Sequence, residues 1–112
     1  MTTKRRVLPV LLERDFRAMA ATEGASVEIE CVSAPDPEGR FSGEWLFYVV
    51  NAAGERFMLV TALARERIVN SPIGMFGLAF GKLNLDRLDV PAVAGDVRRS
   101  MRSLPRGGDP VE

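Results

Sequence analysis

The sequence predicts an α+β fold, a mainly antiparallel sheet of about four strands with helices on one face. Three observations support this class. Apolar residues change from helical to alternating spacing near residue 26, a hairpin pattern follows, and a Ser-Pro pair opens a second helical segment at residue 71. The predicted order of elements is helix, three strands, helix, strand and a short basic helix.

The first predicted element is an amphipathic helix over residues 9–22. Pro9 suits the first helical position, where its missing N–H costs nothing. Leu12 and Phe16 are spaced to lie on one apolar face. Gly24 follows as a C-terminal stop, because glycine adopts the left-handed conformation that ends many helices.

A strand with one solvated face is predicted next. Val27, Ile29 and Cys31 alternate with Glu28 and Glu30, and side chains two apart on a strand point to the same side. The apolar set therefore faces a core, which also predicts a buried thiol at the single cysteine. A lone cysteine cannot form an internal disulfide, and this indicates a reducing compartment.

A β-hairpin is predicted after a loop rich in proline and glycine. Its strands cover residues 44–50 and 55–63, joined by the turn sequence NAAG at residues 51–54. A four-residue turn places Val50 opposite Glu55 and thereby sets the register of the whole hairpin.

This register divides the apolar side chains of the hairpin between two faces. One face carries Leu46, Tyr48, Phe57 and Leu59, and the other carries Trp45, Phe47, Val49, Met58 and Val60. Leaving those five side chains in water would lose on the order of 10 kcal/mol of hydrophobic free energy, at about 2 kcal/mol each. The net stability of a folded protein is only about 5–15 kcal/mol. We therefore expect the second face to be covered by the terminal helix or by a second copy of the chain.

A second helix is predicted over residues 72–83. Ser71 suits the N-cap and Pro72 the first helical position. The apolar residues that recur at helical spacing, and that we expect to face the core, are Ile73, Phe76, Phe80 and Leu83.

Three glycines in this helix, Gly74, Gly77 and Gly81, raise the question of a phosphate-binding loop. Their spacing fits neither the P-loop nor the dinucleotide-binding pattern, and Lys82 is followed by leucine instead of serine or threonine. We interpret them as positions of close backbone packing, with a ligand-contacting loop as the alternative.

The C-terminal part of the chain predicts a strand over residues 85–91 and a short helix over residues 95–104. Residues 1–106 then form one small α+β domain, and residues 107–112 form a loose tail. The composition fits, since 46 % hydrophobic and 27 % charged residues are ordinary for one globular domain of this length.

Composition also limits the chemistry. The chain contains no histidine, which removes the usual general base and the commonest metal ligand. One cysteine without histidine cannot provide the usual tetrahedral zinc ligands. The least implausible catalytic pair is Glu28 and Glu30, whose side chains project from one strand face roughly 6–7 Å apart. We predict no catalytic residue, no metal site and no cofactor, with a paired-carboxylate enzyme as the second alternative.

Charge is unevenly distributed although the formal net charge is zero. The ends are basic and the body is acidic, which hints at anionic partners. The candidate nucleic-acid-binding residues are Lys4, Arg5, Arg6, Arg98, Arg99, Arg102 and Arg106. The acidic body and an isoelectric point near 6.3 count against this alternative.

The leading hypothesis is a small non-enzymatic interaction or regulatory protein that forms a homodimer through the face of Trp45 and Phe47. Another protein or a nucleic acid is an alternative partner, and the small size also suits a mobile-element accessory protein. We expect a cytoplasmic location without membrane contact. The apolar run before Glu13 is short for a secretory signal, and the uncharged stretch of residues 68–81 is too short to span a bilayer.

Overall fold

The computed structural model describes residues 9–100, and they form an α+β fold around one sheet. The strands are β1 Val10–Leu12, β2 Ser26–Asp36, β3 Ser42–Val50, β4 Arg56–Val60 and β5 Val97–Ser100. The helices are α1 Glu13–Ala20 and α2 Pro72–Phe76, supplemented by a 3₁₀ turn Pro37–Gly39 and a π-helical turn Gly77–Lys82. The predicted α+β class is confirmed, with five strands in the described part of the chain instead of about four.

The sheet has the strand order β1-β4-β3-β2-β5. Three of its strand pairs are antiparallel, and β1 pairs parallel to β4. Both helices pack on one face, where Phe16 of α1 and Met75 of α2 join the side chains of the central strands in the core. The expectation that helices cover one face is therefore confirmed.

The N-terminal helix is shorter than predicted. Residues 10–12 form an edge strand instead of the first helical turn, and the Met58 N–H donates to the Pro9 carbonyl at 3.0 Å. This pairing satisfies backbone groups of β4 that would otherwise form a free edge. The helix begins at Glu13 and buries Phe16 and Ala20, as its apolar spacing predicts.

The predicted register of the hairpin is wrong by one residue. Val50 lies opposite Arg56, because the Asn51 N–H donates to the Glu55 carbonyl at 2.9 Å and closes a loop of three residues. The side chain of Asn51 fixes this loop, since its Oδ1 accepts from the backbone N–H groups of Ala53 and Glu55.

A slip of one residue moves every side chain of β4 to the other face of the sheet. The helix-covered face carries Trp45, Phe47, Val49, Phe57 and Leu59, and the opposite face carries Leu46, Tyr48, Met58 and Val60. The predicted grouping of Trp45, Phe47, Val49, Met58 and Val60 on one face is therefore wrong. Trp45, Phe47 and Val49 are at most 1 % exposed beneath the helices of their own chain, so they present no surface to a second copy.

The C-terminal elements also differ from the prediction. Residues 85–91 are irregular, and residues 97–100 form strand β5 where a short helix was predicted. Strand β5 pairs with β2 from Val97 opposite Glu30 to Ser100 opposite Val27, which satisfies that edge of the sheet. The predicted loose tail of residues 107–112 lies outside the described residues.

Candidate functional site

Helix α2 begins where its sequence predicts. The Ser71 hydroxyl accepts a hydrogen bond from the Gly74 N–H at 3.0 Å, and Pro72 occupies the first helical position. After Phe76 the backbone widens into the π-helical turn, a feature that often accompanies functional sites.

The buried face of this segment differs from the predicted one. Met75, Leu78 and Ala79 enter the core, whereas Ile73, Phe76 and Phe80 are 82 %, 49 % and 43 % exposed. The prediction holds only for Leu83, which is buried. The segment carries two apolar sets at helical spacing, and periodicity alone does not say which of them meets the sheet.

The glycines of the segment do not mark close packing. A Cβ atom placed on Gly77 or Gly81 would meet no atom within 4 Å, and one on Gly74 would meet Ser71 Oγ at 3.1 Å. The interpretation of close backbone approach within the chain is therefore wrong for Gly77 and Gly81. Both lie on open surface beside the exposed phenylalanines.

An apolar groove adjoins this exposed helix face and has a volume of about 240 Å³. It is lined by Pro35, Phe41, Trp45, Pro72, Met75, Phe76 and Val90. The buried indole of Trp45 is held in place because its Nε1–H donates to the Pro91 carbonyl at 2.8 Å. Every lining residue is apolar or aromatic, so the groove suits an apolar side chain.

Phe41 reaches the groove from a strained loop. Arg40 and Phe41 have φ angles of 61° and 62°, and consecutive left-handed residues other than glycine are uncommon. The conformation is held by the Phe41 N–H, which donates to the Asp36 carbonyl at 2.7 Å, and by Asp36 Oδ1, which accepts from the Glu38 N–H. Such strain costs on the order of 1–3 kcal/mol per residue and often marks a functional position.

We call Phe41, Ile73, Phe76 and Phe80 the apolar patch. The rings of Phe76 and Phe80 lie 6.0 Å apart, and Phe41 is 54 % exposed beside the groove. At about 200 Å² for each large side chain, these exposed fractions correspond to on the order of 450 Å² of surface. A patch of this size matches the largest apolar patch of a typical monomer, about 300–600 Å², which often has a function.

The opposite face of the sheet is covered differently. Arg56 Nε lies 2.8 Å from Glu28 Oε1, and Arg99 Nη2 lies 3.4 Å from Glu28 Oε2. The Arg56 guanidinium also lies 3.6 Å from the centre of the Tyr48 ring. Because long charged side chains can lay their stems over apolar surface, Tyr48 remains only 4 % exposed.

The two candidate catalytic carboxylates both belong to this covered face. The Tyr48 hydroxyl donates to Glu30 Oε1 at 2.6 Å, while Glu28 is paired with the two arginines. Burial is the largest of the effects that raise the pKa of Tyr48 well above 10. The hydrogen bond to Glu30 and the negative charge of Glu30 raise it further. Each of the two carboxylates therefore already has a partner, Glu28 in ion pairs and Glu30 in a hydrogen bond.

The candidate nucleic-acid-binding residues are only partly described. Arg98 lies 2.9 Å from Asp96 and 3.8 Å from Asp89, and Arg99 pairs with Glu28. Because these ion pairs engage the guanidinium groups of Arg98 and Arg99, they compete with the binding of nucleic-acid phosphates to strand β5. Lys4, Arg5, Arg6, Arg102 and Arg106 lie outside the described residues, and their role stays a prediction.

Cys31 is fully buried, as the alternation of β2 predicts, and burial raises the pKa of its thiol. Within residues 9–100, no cluster of three or more His, Cys, Asp or Glu residues is placed to hold a metal ion. In the same range, no helix has the length and apolar character needed to cross a membrane.

Comparison of the chain with protein-family models, curated proteins and solved structures finds no match. The exposed surfaces and their chemistry are therefore the basis for a functional proposal. Sequence reasoning missed the apolar patch because it placed Ile73, Phe76 and Phe80 in the core. The signal that could have found it is the second apolar set, Met75, Leu78 and Ala79, in the same segment.

Proposed function

We propose that the chain is a small non-enzymatic interaction protein that forms a homodimer through the apolar patch. The observation that carries this proposal is the exposure of Ile73, Phe76 and Phe80 along one side of a single helical segment. At the centre of the outer sheet face, Leu46, Tyr48 and Val60 are buried and the ion pair of Glu28 and Arg56 lies beside them, while exposed apolar residues of the described sheet are confined to its edges and to the end of β2. The proposal keeps the predicted homodimer but moves its interface from the sheet to the helix.

The shape of the patch favours a second copy as the partner. Phe76 and Phe80 project from the surface, and Gly77 and Gly81 leave open space beside them. Across a two-fold axis, the rings of one copy can enter the space above the glycines of the other. Isologous contacts of this kind place the same surface on both sides of the interface.

Charge favours the same partner. Residues 68–81 contain no charged side chain, so two copies can meet there without opposing like charges or burying an unpaired ion. The apolar area also suits a homodimer. On the order of 450 Å² from four side chains is comparable to the apolar core of an interface that buries about 800 Å² per partner.

Sedimentation equilibrium across a micromolar concentration series tests the proposal. We expect a dimer mass for the wild-type chain and a shift toward monomer for a Phe76→Ser, Phe80→Ser double variant. Both rings are exposed in the single chain, so the variant should fold as the wild type does. Circular dichroism would check the fold before the mass is compared.

Leu63→Ser provides the matched control. Leu63 is 78 % exposed, close to the 82 % of Ile73, but it lies in the turn after β4 and does not line the apolar groove. Ile73→Ser should weaken the dimer and Leu63→Ser should leave it unchanged. A monomeric wild-type chain at these concentrations, or equal effects of the two variants, would contradict the proposal.

A further inference from the structure

A second concave surface lies between helix α1 and the end of the π-helical turn. Its volume is about 400 Å³, within the range of small-molecule sites. The lining residues are Arg14, Arg17, Ala18, Ala21, Lys82, Leu83 and Asn84. Three are cationic and none of these described residues is acidic. We call this surface the basic pocket.

The cations of the basic pocket are incompletely neutralised. Lys82 lies 3.3 Å from Glu13, but that carboxylate also pairs with Arg67 at 2.9 Å. Arg14 approaches Asp15 only at 4.0 Å, with both side chains largely in solvent. Within the described part of the chain, Arg17 has no carboxylate within ion-pair distance.

Arg17 is fixed in place despite lacking a charged partner. Its Nε–H donates to the Lys82 carbonyl at 3.1 Å, which ties α1 to the end of the π-helical turn. This bond uses one of five guanidinium N–H donors and leaves the terminal ones for another acceptor. A guanidinium held by its Nε in this way is prepared for a planar, two-point contact with an oxyanion.

The surroundings make this concentration of positive charge informative. Residues 9–100 contain ten basic and thirteen acidic residues, so the described body is acidic. The basic pocket, with three cations and no carboxylate among its lining residues, therefore differs in charge from the acidic body of the protein. Positive charges that are only partly neutralised and that share a concave surface attract anions and raise their local concentration.

We infer that the basic pocket binds the phosphate group of a small phosphorylated molecule. Arg17 and Arg14 supply guanidinium donors to the phosphate oxygens, and Lys82 supplies an ammonium group from the end of the π-helical turn. The acidic body favours a small ligand over a nucleic acid, because the neighbouring phosphates of a polymer would lie over repelling carboxylates. The inference is independent of the apolar patch, whose four residues do not line this pocket.

Titrations followed by amide chemical shifts in low-salt buffer test the inference. The probes are inorganic phosphate, glycerol phosphate and a short single-stranded DNA, with sodium chloride at equal ionic strength as the reference. We expect saturable shifts around residues 14–21 and 82–84 for both phosphates, and none for chloride. Arg17→Gln should weaken the binding at least tenfold, and Arg14→Gln should weaken it several-fold.

Arg65→Gln is the matched control, since Arg65 is exposed and has no ion pair among the described residues. It should leave phosphate binding unchanged. Arg14→Gln keeps the test decisive if Arg17→Gln disturbs the fold, because the Arg14 side chain is 95 % exposed. Absence of saturable shifts, equal effects of the Arg14 and Arg65 variants, or binding only to short single-stranded DNA would overturn the inference.

Discussion

Two outward-facing surfaces of this molecule carry large apolar side chains, and the centre of one is covered whereas the other is open. On the outer sheet face, Tyr48 is 4 % exposed because Arg56 lies over its ring and pairs with Glu28. On helix α2 and the π-helical turn that follows it, Phe76 and Phe80 remain nearly half exposed. No charged residue lies between positions 68 and 81 to cover them.

The difference between the two surfaces lies in the placement of charged side chains, which flank the apolar residues at the centre of the sheet face and are absent from the helix face. The sheet face alternates apolar residues with Glu28, Arg56 and Arg99, whose stems shield their neighbours. The helix face has phenylalanine next to glycine, and glycine has no side chain to shield anything. A covered surface contributes to the stability of one chain, whereas an open one is available to a partner.

The largest expected effect is on the covered surface. Tyr48→Ala removes a buried ring together with the hydroxyl that donates to Glu30, so it should lower the free energy of unfolding by about 3–5 kcal/mol. Urea denaturation measures this change. A loss below about 1 kcal/mol would show that the ring is not buried as described.

A smaller effect is expected for Arg56→Ala. The variant removes the contact over Tyr48 and the 2.8 Å pair with Glu28, which is partly exposed and therefore partly screened. We expect a loss of about 1–2 kcal/mol. Arg65→Ala is the control and should change stability by less than about 0.5 kcal/mol. A double-mutant cycle with Glu28→Gln would separate the ion pair from the ring contact.

The titration of Tyr48 gives an optical test of the same surface, because the chain contains a single tyrosine. Its pKa is raised above the ordinary value of 10.0 by burial and by Glu30. The tyrosinate absorbance should therefore appear only well above pH 10, and Glu30→Gln should bring it closer to pH 10. Tyrosinate formation near pH 10 in the folded wild-type chain would contradict the described contacts.

That raised pKa also has a consequence for stability. Since the folded chain holds the Tyr48 proton more tightly than the unfolded chain, this contribution is fully present below pH 10. It is lost as the pH rises from 10 toward the folded pKa. Urea denaturation of the wild type above pH 10 should therefore show a fall that is smaller in Glu30→Gln.

The smallest stability effect is expected on the open surface. Ile73→Ser removes a side chain that is 82 % exposed, so the free energy of unfolding of the monomer should change by less than about 1 kcal/mol. Urea denaturation at a concentration below the dimer range measures it. A loss as large as that of Tyr48→Ala would mean that the patch is part of the core.

The sequence predicts the parts of this fold that depend on local chemistry. The α+β class, the buried alternation through Cys31 and the helix start at Ser71 all follow from nearby residues. The hairpin register does not, because it depends on a side-chain hydrogen bond of Asn51. One signal was available, since the predicted register puts Arg56 opposite Val49 on the face of the five large apolar side chains, whereas the observed one puts it beside Glu28.

The open surface was harder to predict. Ile73, Phe76 and Phe80 have the same helical spacing that core residues have, and only the position of the sheet decides which set is buried. The pairing of Val97–Ser100 with β2 likewise satisfies a distant strand edge. Local sequence patterns do not show which helix face meets the sheet or which strand edge a distant segment pairs with.

Isotope-filtered NOE spectroscopy on a mixture of labelled and unlabelled chains tests the central claim most directly. We predict NOEs between copies at the rings of Phe76 and Phe80, and none at Tyr48 or Met58 on the sheet face. NOEs between copies that are confined to the sheet face, or their complete absence in a sample concentrated enough for spectroscopy, would contradict the account.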